Sequence, residues 1–226
     1  MRYRHELKYL ISKELASILK HKLKLIMEID KNSKYKDNTY LIRSLYFDDI
    51  DSTAYFDKLS GVKERKKYRI RYYNNDTSFI KLECKYKNNN LTYKKHQTIS
   101  KDIALKIINS EIDDIPLNTD NLLTKFIIDK KLNNLMPSII VDYYRLAYTY
   151  IVSDVRVTFD EDIKSGVYNY NLFDKDISSL PVIENNDVVL EIKFNDILPL
   201  HIAKILATIP MIRQAISKYA TCRSVK

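Results

Sequence analysis

The chain has only two glycines, Gly61 and Gly166, among 226 residues. This scarcity excludes a Walker A loop and a dinucleotide-binding glycine-rich turn, since both need several glycines to bring backbone N–H groups onto phosphate. Any phosphate bound here must be held by side chains. The two cysteines, Cys84 and Cys222, lie far apart and give neither a disulfide framework nor metal-ligand spacing, which suits a reducing compartment. No apolar run approaches the ~20 residues of a membrane-spanning helix. The N-terminal Met1–Glu6 lacks the apolar stretch of a signal peptide, so the sequence predicts a cytoplasmic chain without a transmembrane segment. Acidic residues are in the minority, with 29 Asp and Glu against 38 Lys and Arg and a formal net charge of +9. That imbalance favours an acidic partner.

The chain does contain charge at every second residue, in five stretches, with Thr158 the one uncharged member. They are Arg2-Tyr3-Arg4-His5-Glu6-Leu7-Lys8, Lys67-Tyr68-Arg69-Ile70-Arg71, Lys81-Leu82-Glu83-Cys84-Lys85, Arg156-Val157-Thr158-Phe159-Asp160 and Glu191-Ile192-Lys193. Side chains on a strand alternate between faces, so each stretch collects its charges on one face and its apolar residues on the other. Strands are predicted over 2–11, 39–48, 64–73, 78–87, 90–99, 138–151, 153–163 and 187–195. Helices are predicted over 12–28, 51–58, 100–109 and 119–134, with a helical tail from Pro199, broken at Pro210, to about Ala220. With no linker or internal repeat, residues 1–226 read as a single domain. The predicted fold is α+β: an antiparallel, closed β-barrel with a charged interior, helices packed outside, and a C-terminal helix plugging one end.

At these strands the sequence resembles the VTC-type polyphosphate polymerase domain, a branch of the triphosphate tunnel metalloenzymes. The resemblance rests on Arg4-His-Glu-Leu-Lys-Tyr9, Ser44-Leu-Tyr-Phe-Asp48, Tyr55–Lys63, Tyr68-Arg-Ile-Arg-Tyr72, Leu82-Glu-Cys-Lys85, Pro137–Arg145, Arg156-Val-Thr-Phe-Asp160, Leu190-Glu-Ile-Lys193 and Ser217-Lys-Tyr219. These segments occur in family order across nearly the whole chain. The resemblance implies a basic tunnel, ATP or another NTP as phosphate donor, inorganic polyphosphate as product, pyrophosphate as primer, and a divalent cation, Mn2+ before Mg2+. One departure favours the polymerase branch: Arg4 stands where tunnel triphosphatases carry the first Glu of Glu-x-Glu-x-Lys.

The resemblance assigns Arg69 and Arg71 to the donor triphosphate, a role suited to their planar donor forks. Lys8, Lys81, Lys85 and Lys94 have inward parity in a closed barrel, although the register of Lys94 against Lys95 is open from sequence alone. Arg145 and Arg156 are assigned to phosphates, the competing reading being cross-strand ion pairs with Asp142 or Asp160. Glu191 is the leading metal ligand, with Glu6 and Glu83 as further candidates, because a hard cation bound to phosphate commonly takes only one or two protein carboxylates. Lys193 shares the Glu191 face. Ser217, Lys218 and Tyr219 belong to the plugging helix, whose lysine reaches the phosphates in the family. Arg69, Arg71, Lys85, Lys193 and Lys218 form the expected catalytic set. His5 and Cys84 have the opposite parity and are expected to pack.

The leading expectation is therefore transfer of the terminal phosphate of an NTP to a growing polyphosphate chain. A tunnel triphosphatase and a non-catalytic polyphosphate-binding module are the alternatives. Nucleic acid is not an expected partner, because the basic charge lies on strand faces and not along a helix or an exposed aromatic platform.

Overall fold

The computed structural model describes residues 4–30, 37–89, 91–118, 121–166, 168–183 and 186–225. The first half contains β1 (His5–Ser12), α1 (Lys13–Lys24), β2 (Glu28–Ile29), β3 (Thr39–Asp48), α2 (Thr53–Leu59), β4 (Glu64–Tyr73), β5 (Asp76–Asn88) and β6 (Leu91–Ile99). The second contains α3 (Lys101–Asn109), α4 (Leu122–Leu132), β7 (Met136–Tyr150), β8 (Val155–Gly166), β9 (Ser179–Pro181), β10 (Asp187–Phe194), α5 (Leu200–Leu206) and α6 (Lys218–Arg223). The eight predicted strands are present, and the short β2 and β9 add to them. Residues 2 and 3 of the first predicted strand, and 119 and 120 of the predicted helix, lie outside the described residues.

Local chemistry sets several of these boundaries. Ser12, Ser100 and Asn121 are extended and accept hydrogen bonds from the N–H groups of Leu15, Ile103 and Thr124, so each opens a helix by satisfying a donor that has no partner within it. Asn74 and Asn75 both adopt positive φ, the backbone that a two-residue turn between β4 and β5 requires.

All ladders between strands are antiparallel where their registers are given. The strand order is β1-β10-β8-β7-β3-β4-β5-β6, with β2 on β7 and β9 on β8. This corrects the closed barrel expected from sequence, since the order ends on β1 and β6 and these do not pair among the described residues. The free edge of β1 is occupied from within its own neighbourhood: Tyr9 bridges to Arg213, and the Gln214 N–H donates to the Lys8 carbonyl at 2.9 Å. The same contacts correct the predicted helical tail. Residues 207–217 are irregular between α5 and α6 because part of that segment runs along a strand edge.

The chain divides into two compact units, one of residues 1–41, 143–163 and 183–217, the other of 42–142, 164–182 and 218–226. In the first, Val157, Phe159, Leu190 and Ile192 pack with Leu19 and Leu23 of α1 and Ile202 and Leu206 of α5. In the second, Leu45, Phe47, Tyr68, Ile70, Leu82 and Cys84 pack with α3 and α4, and Phe126 lies edge-on to both Phe47 and Tyr68. In each unit the helices cover the apolar face of the strands, so the charged residues are left on the opposite face.

Phe126 is fully buried. Phe126→Ala is expected to cost about 3–5 kcal/mol of stability, read as a lowered midpoint in urea unfolding.

Candidate functional site

In the second unit the antiparallel register brings cations opposite cations. Lys67 faces Lys85, and Arg71 faces Lys81, across β4 and β5. Lys85 in turn faces Lys94 across β5 and β6, which settles the open register: Lys94 lies on the charged face, while Lys95 is opposite Cys84 on the other. Like charges directly opposite in a sheet are destabilising. A carboxylate sits among them. Glu83 receives Arg69 Nε at 2.6 Å and Lys94 Nζ at 2.8 Å, one on each carboxylate oxygen. Burial alone would raise the Glu83 carboxyl, but Arg69, Arg71 and Lys94 outweigh it and hold it well below the usual range. Both oxygens of Glu83 are thus engaged in orienting cations. Arg69 also donates to the Tyr46 hydroxyl at 2.8 Å, and the buried Arg71 donates to Ser44 Oγ at 2.8 Å.

The C-terminal helix joins this face. Tyr219 of α6 is buried and donates its hydroxyl to Asp48. Its ring lies 5.0 Å from that of Tyr46, and Lys67 Nζ stands 4.5 Å above it. Asp48 also accepts from the N–H groups of Ala54 and Tyr55 at 2.8 and 3.1 Å, so one carboxylate fixes the start of α2 and the tyrosine of α6. Lys218, next to Tyr219, is close enough to act electrostatically on Tyr46.

The first unit carries a second cluster, in which the charges are matched. Lys8 is opposite Glu191, and Glu6 opposite Lys193. Lys8 Nζ is 3.3 Å from Glu6 and 3.7 Å from Glu191, and Lys193 Nζ is 3.3 Å from Glu191. Arg145 makes a two-pronged pair with Asp160 at 2.5 and 2.7 Å and approaches Glu191 at 3.6 Å. The cross-strand reading of Arg145 is therefore realised through Asp160, and Asp142 instead pairs with the buried Arg43 at 2.8 Å. Arg156 pairs with Asp30 at 2.6 Å and donates to the Tyr40 hydroxyl at 2.9 Å. Burial would raise the Glu191 carboxyl, but Lys193, Lys8 and Arg145 together with a hydrogen bond to Glu6 hold it well below the usual range. Burial would lower the Lys8 ammonium, and Glu191 and Glu6 outweigh it to raise it. Lys8 also donates to the Ile216 carbonyl at 3.1 Å, which places Ser217 one residue beyond this contact.

Among the described residues no group of three or more His, Cys, Asp or Glu is arranged to hold a metal ion. The donor set that does suit a hard cation is smaller. Glu6 and Glu191 are hydrogen-bonded neighbours, and Thr158 stands directly opposite Glu191. The Thr158 hydroxyl is buried without a hydrogen-bond partner, an expensive state for a polar group that has no further role. Two carboxylates and a hydroxyl would supply part of a coordination sphere that phosphate oxygens complete.

Sequence reasoning missed Thr158 and Lys67, which share strand parity with Arg156 and Arg69, and Ser44 and Tyr46, which stand opposite Arg71 and Arg69 across β3 and β4. It had no signal for the pairing of Asp30 with Arg156 or of Asp48 with Tyr219, which join distant segments. His5 and Cys84 are off the charged face as expected: His5 stacks on Phe194 at 4.9 Å, and burial pushes the Cys84 thiol up to about 11. Arg4 pairs with Asp154 at 2.6 Å.

Comparison with known proteins adds a family and a fold. The family model of the VTC domain matches residues 3–225. A structure of an adenylyl cyclase-like protein from Hippeastrum, described as having a dominant triphosphatase activity, superposes with a TM-score of 0.55 at 15% identity over 100% of this chain and 97% of that one. A candidate adenylate cyclase from Bacillus halodurans gives 0.54 at 16% identity over 91% and 87%. The PH1819 protein of Pyrococcus horikoshii gives 0.52 at 13% identity over 99% and 100%. At these identities the likeness shows a shared fold. A comparison with curated proteins by sequence gives no match.

Because Glu83 is held ionised by its cations, it stabilises the fold above the unfolded carboxyl value of about 4.3. That contribution is lost as pH falls further. Glu83→Gln leaves Arg69 without its charge partner and is expected to cost about 3–5 kcal/mol at pH 7. The deficit should narrow as pH falls from about 4 to 2, because the wild-type Glu83 carboxyl then takes up a proton in the unfolded chain while it stays ionised in the folded one. Urea unfolding of both proteins across that range checks it.

Proposed function

The chain belongs to the VTC domain family, and from that premise we propose that it is a polyphosphate polymerase, transferring the terminal phosphate of ATP or another NTP to inorganic polyphosphate. The observation that carries this reading is the row of cations facing cations across β4, β5 and β6, with Glu83 set among them. A polyanion relieves that repulsion. The proposal takes residues 1–226 as one domain, and it places the activity in the cytoplasm.

Phosphoryl transfer asks a protein chiefly for positioning and charge stabilisation. Arg69 and Arg71 would grip the donor triphosphate through paired N–H groups, with Glu83, Tyr46 and Ser44 holding their planes in place. Lys81, Lys85 and Lys94 would neutralise further phosphates as mobile point charges, which lets a chain slide. The family resemblance also assigns Arg145, Arg156, Lys8 and Lys193, and Ser217, Lys218 and Tyr219 of the C-terminal segment, to phosphates. A divalent cation, Mn2+ or Mg2+, would be held by Glu191 with Glu6 and Thr158, and when bound it would stabilise charge on phosphate oxygens. Glu83 has the weaker claim on a metal, because its oxygens already serve Arg69 and Lys94. The attacking oxygen belongs to the polyphosphate end or to a pyrophosphate primer, so no protein nucleophile is needed.

A second reading, a triphosphatase with water as acceptor, is favoured by the likeness to the Hippeastrum protein described as having that activity. Incubating purified protein with ATP and Mn2+ and resolving the products by length separates the two. The expected result is a ladder of chains, lost in Glu191→Ala and reduced about 100-fold or more in Arg71→Ala, with the Arg71→Ala protein still folded. Free phosphate without chains would establish the triphosphatase. Tight polyphosphate binding with no turnover of any NTP would establish a binding module.

A further inference from the structure

Lys67 was not among the residues selected from sequence, yet it shares the face of Arg69 and Arg71 and stands opposite Lys85. We propose that Lys67 is a further phosphate-binding residue, and that it makes the affinity for a polyanion fall as pH rises through neutrality. This rests on the polyanion-binding role proposed for the same face.

The geometry supplies the argument. Lys67 Nζ is braced 4.5 Å above the Tyr219 ring, and that ring is itself fixed by the Asp48 carboxylate and by Tyr46. The ammonium is thus held at a set position beside the triphosphate-binding arginines, where an untethered surface lysine would wander. The groups that face it are Arg65 on its own strand, Lys58 from α2, Lys85 from β5 and Asp48 from β3. Cations predominate in that set, and the Asp48 carboxylate is shared with Tyr219 and the start of α2. Burial, then Arg65 and Lys58, push the Lys67 ammonium down to about 7, with Asp48 opposing them.

The sign follows from linkage. A phosphate beside Lys67 favours the charged form and raises its value in the complex, so binding takes up a proton wherever free Lys67 is neutral. Affinity is therefore full below about pH 7 and declines above it by up to roughly tenfold per pH unit, until the value in the complex is reached. Arginine stays charged throughout this range and would remove the dependence.

The experiment is calorimetric titration of the full chain with inorganic tripolyphosphate between pH 6.5 and 8.5, for wild type, Lys67→Arg and Lys67→Met. The probe's own ionisation is common to all three and cancels in the comparison. The expected result is that wild type loses about tenfold more affinity than Lys67→Arg between pH 7 and 8.5. Lys67→Met should bind more weakly at pH 6.5 and share the flatter profile. Parallel profiles for wild type and Lys67→Arg would overturn the role of Lys67 and leave the face as a polyanion site. Absence of tripolyphosphate binding by wild type at any pH would overturn the polyanion reading of the face itself, and this inference with it.

Discussion

Repulsion between cations that a β-sheet register holds opposite one another is the constraint on which the rest of this structure turns. Lys67 against Lys85, Lys85 against Lys94 and Arg71 against Lys81 each oppose pairing of their strands. The strands pair nonetheless because their other face is apolar. Tyr68, Ile70, Leu82 and Cys84 lie under α3 and α4 around Phe126, and all are almost fully buried. Burial of that face offsets the repulsion on the other, so the alternation that builds the core also builds the charge. Glu83 is the local brake. It is placed where it meets Arg69 and Lys94 at once, and its own ionisation is held by them.

The first unit treats the same alternation differently. Its cations are opposite carboxylates, Lys8 against Glu191 and Lys193 against Glu6, and Arg145 is spread between Asp160 and Glu191. That arrangement is internally satisfied, apart from the buried Thr158 hydroxyl. One unit therefore has excess positive charge and the other has matched charge with a carboxylate pair. The first pattern suits gripping a polyanion, and the second suits holding a cation together with phosphate oxygens.

Most of the strands, and the face on which each charge lies, were legible because the side-chain period of a strand is two and the charges follow it, with Thr158 the one uncharged position in the series. Residues 39–48 and 64–73 were bounded as the structure has them. Closure of the sheet was not legible. Strand count and polarity predicted a barrel, whereas the edge of β1 is taken by Arg213 and Gln214, a contact that no periodicity announces. The helical tail failed for the same reason, since residues 207–217 follow a strand edge and not their own helical propensity. Pairings such as Arg156 with Asp30, and Tyr219 with Asp48, join segments more than a hundred residues apart and leave no local trace in the sequence. Lys67 was legible by parity, but its distinguishing feature, the Tyr219 ring beneath it, was not.

The central claim is that the charged face carries repulsion which a polyanion relieves, and thermal unfolding tests it most directly. The melting temperature would be measured with inorganic polyphosphate and with sulfate at equal ionic strength. A ligand that binds the folded state at a hundred times its dissociation constant adds about 2.7 kcal/mol, which for a chain of this size is a rise of roughly 5–10 °C. The account predicts a rise of that order with polyphosphate and a much smaller one with sulfate. Equal melting temperatures in the two would contradict it.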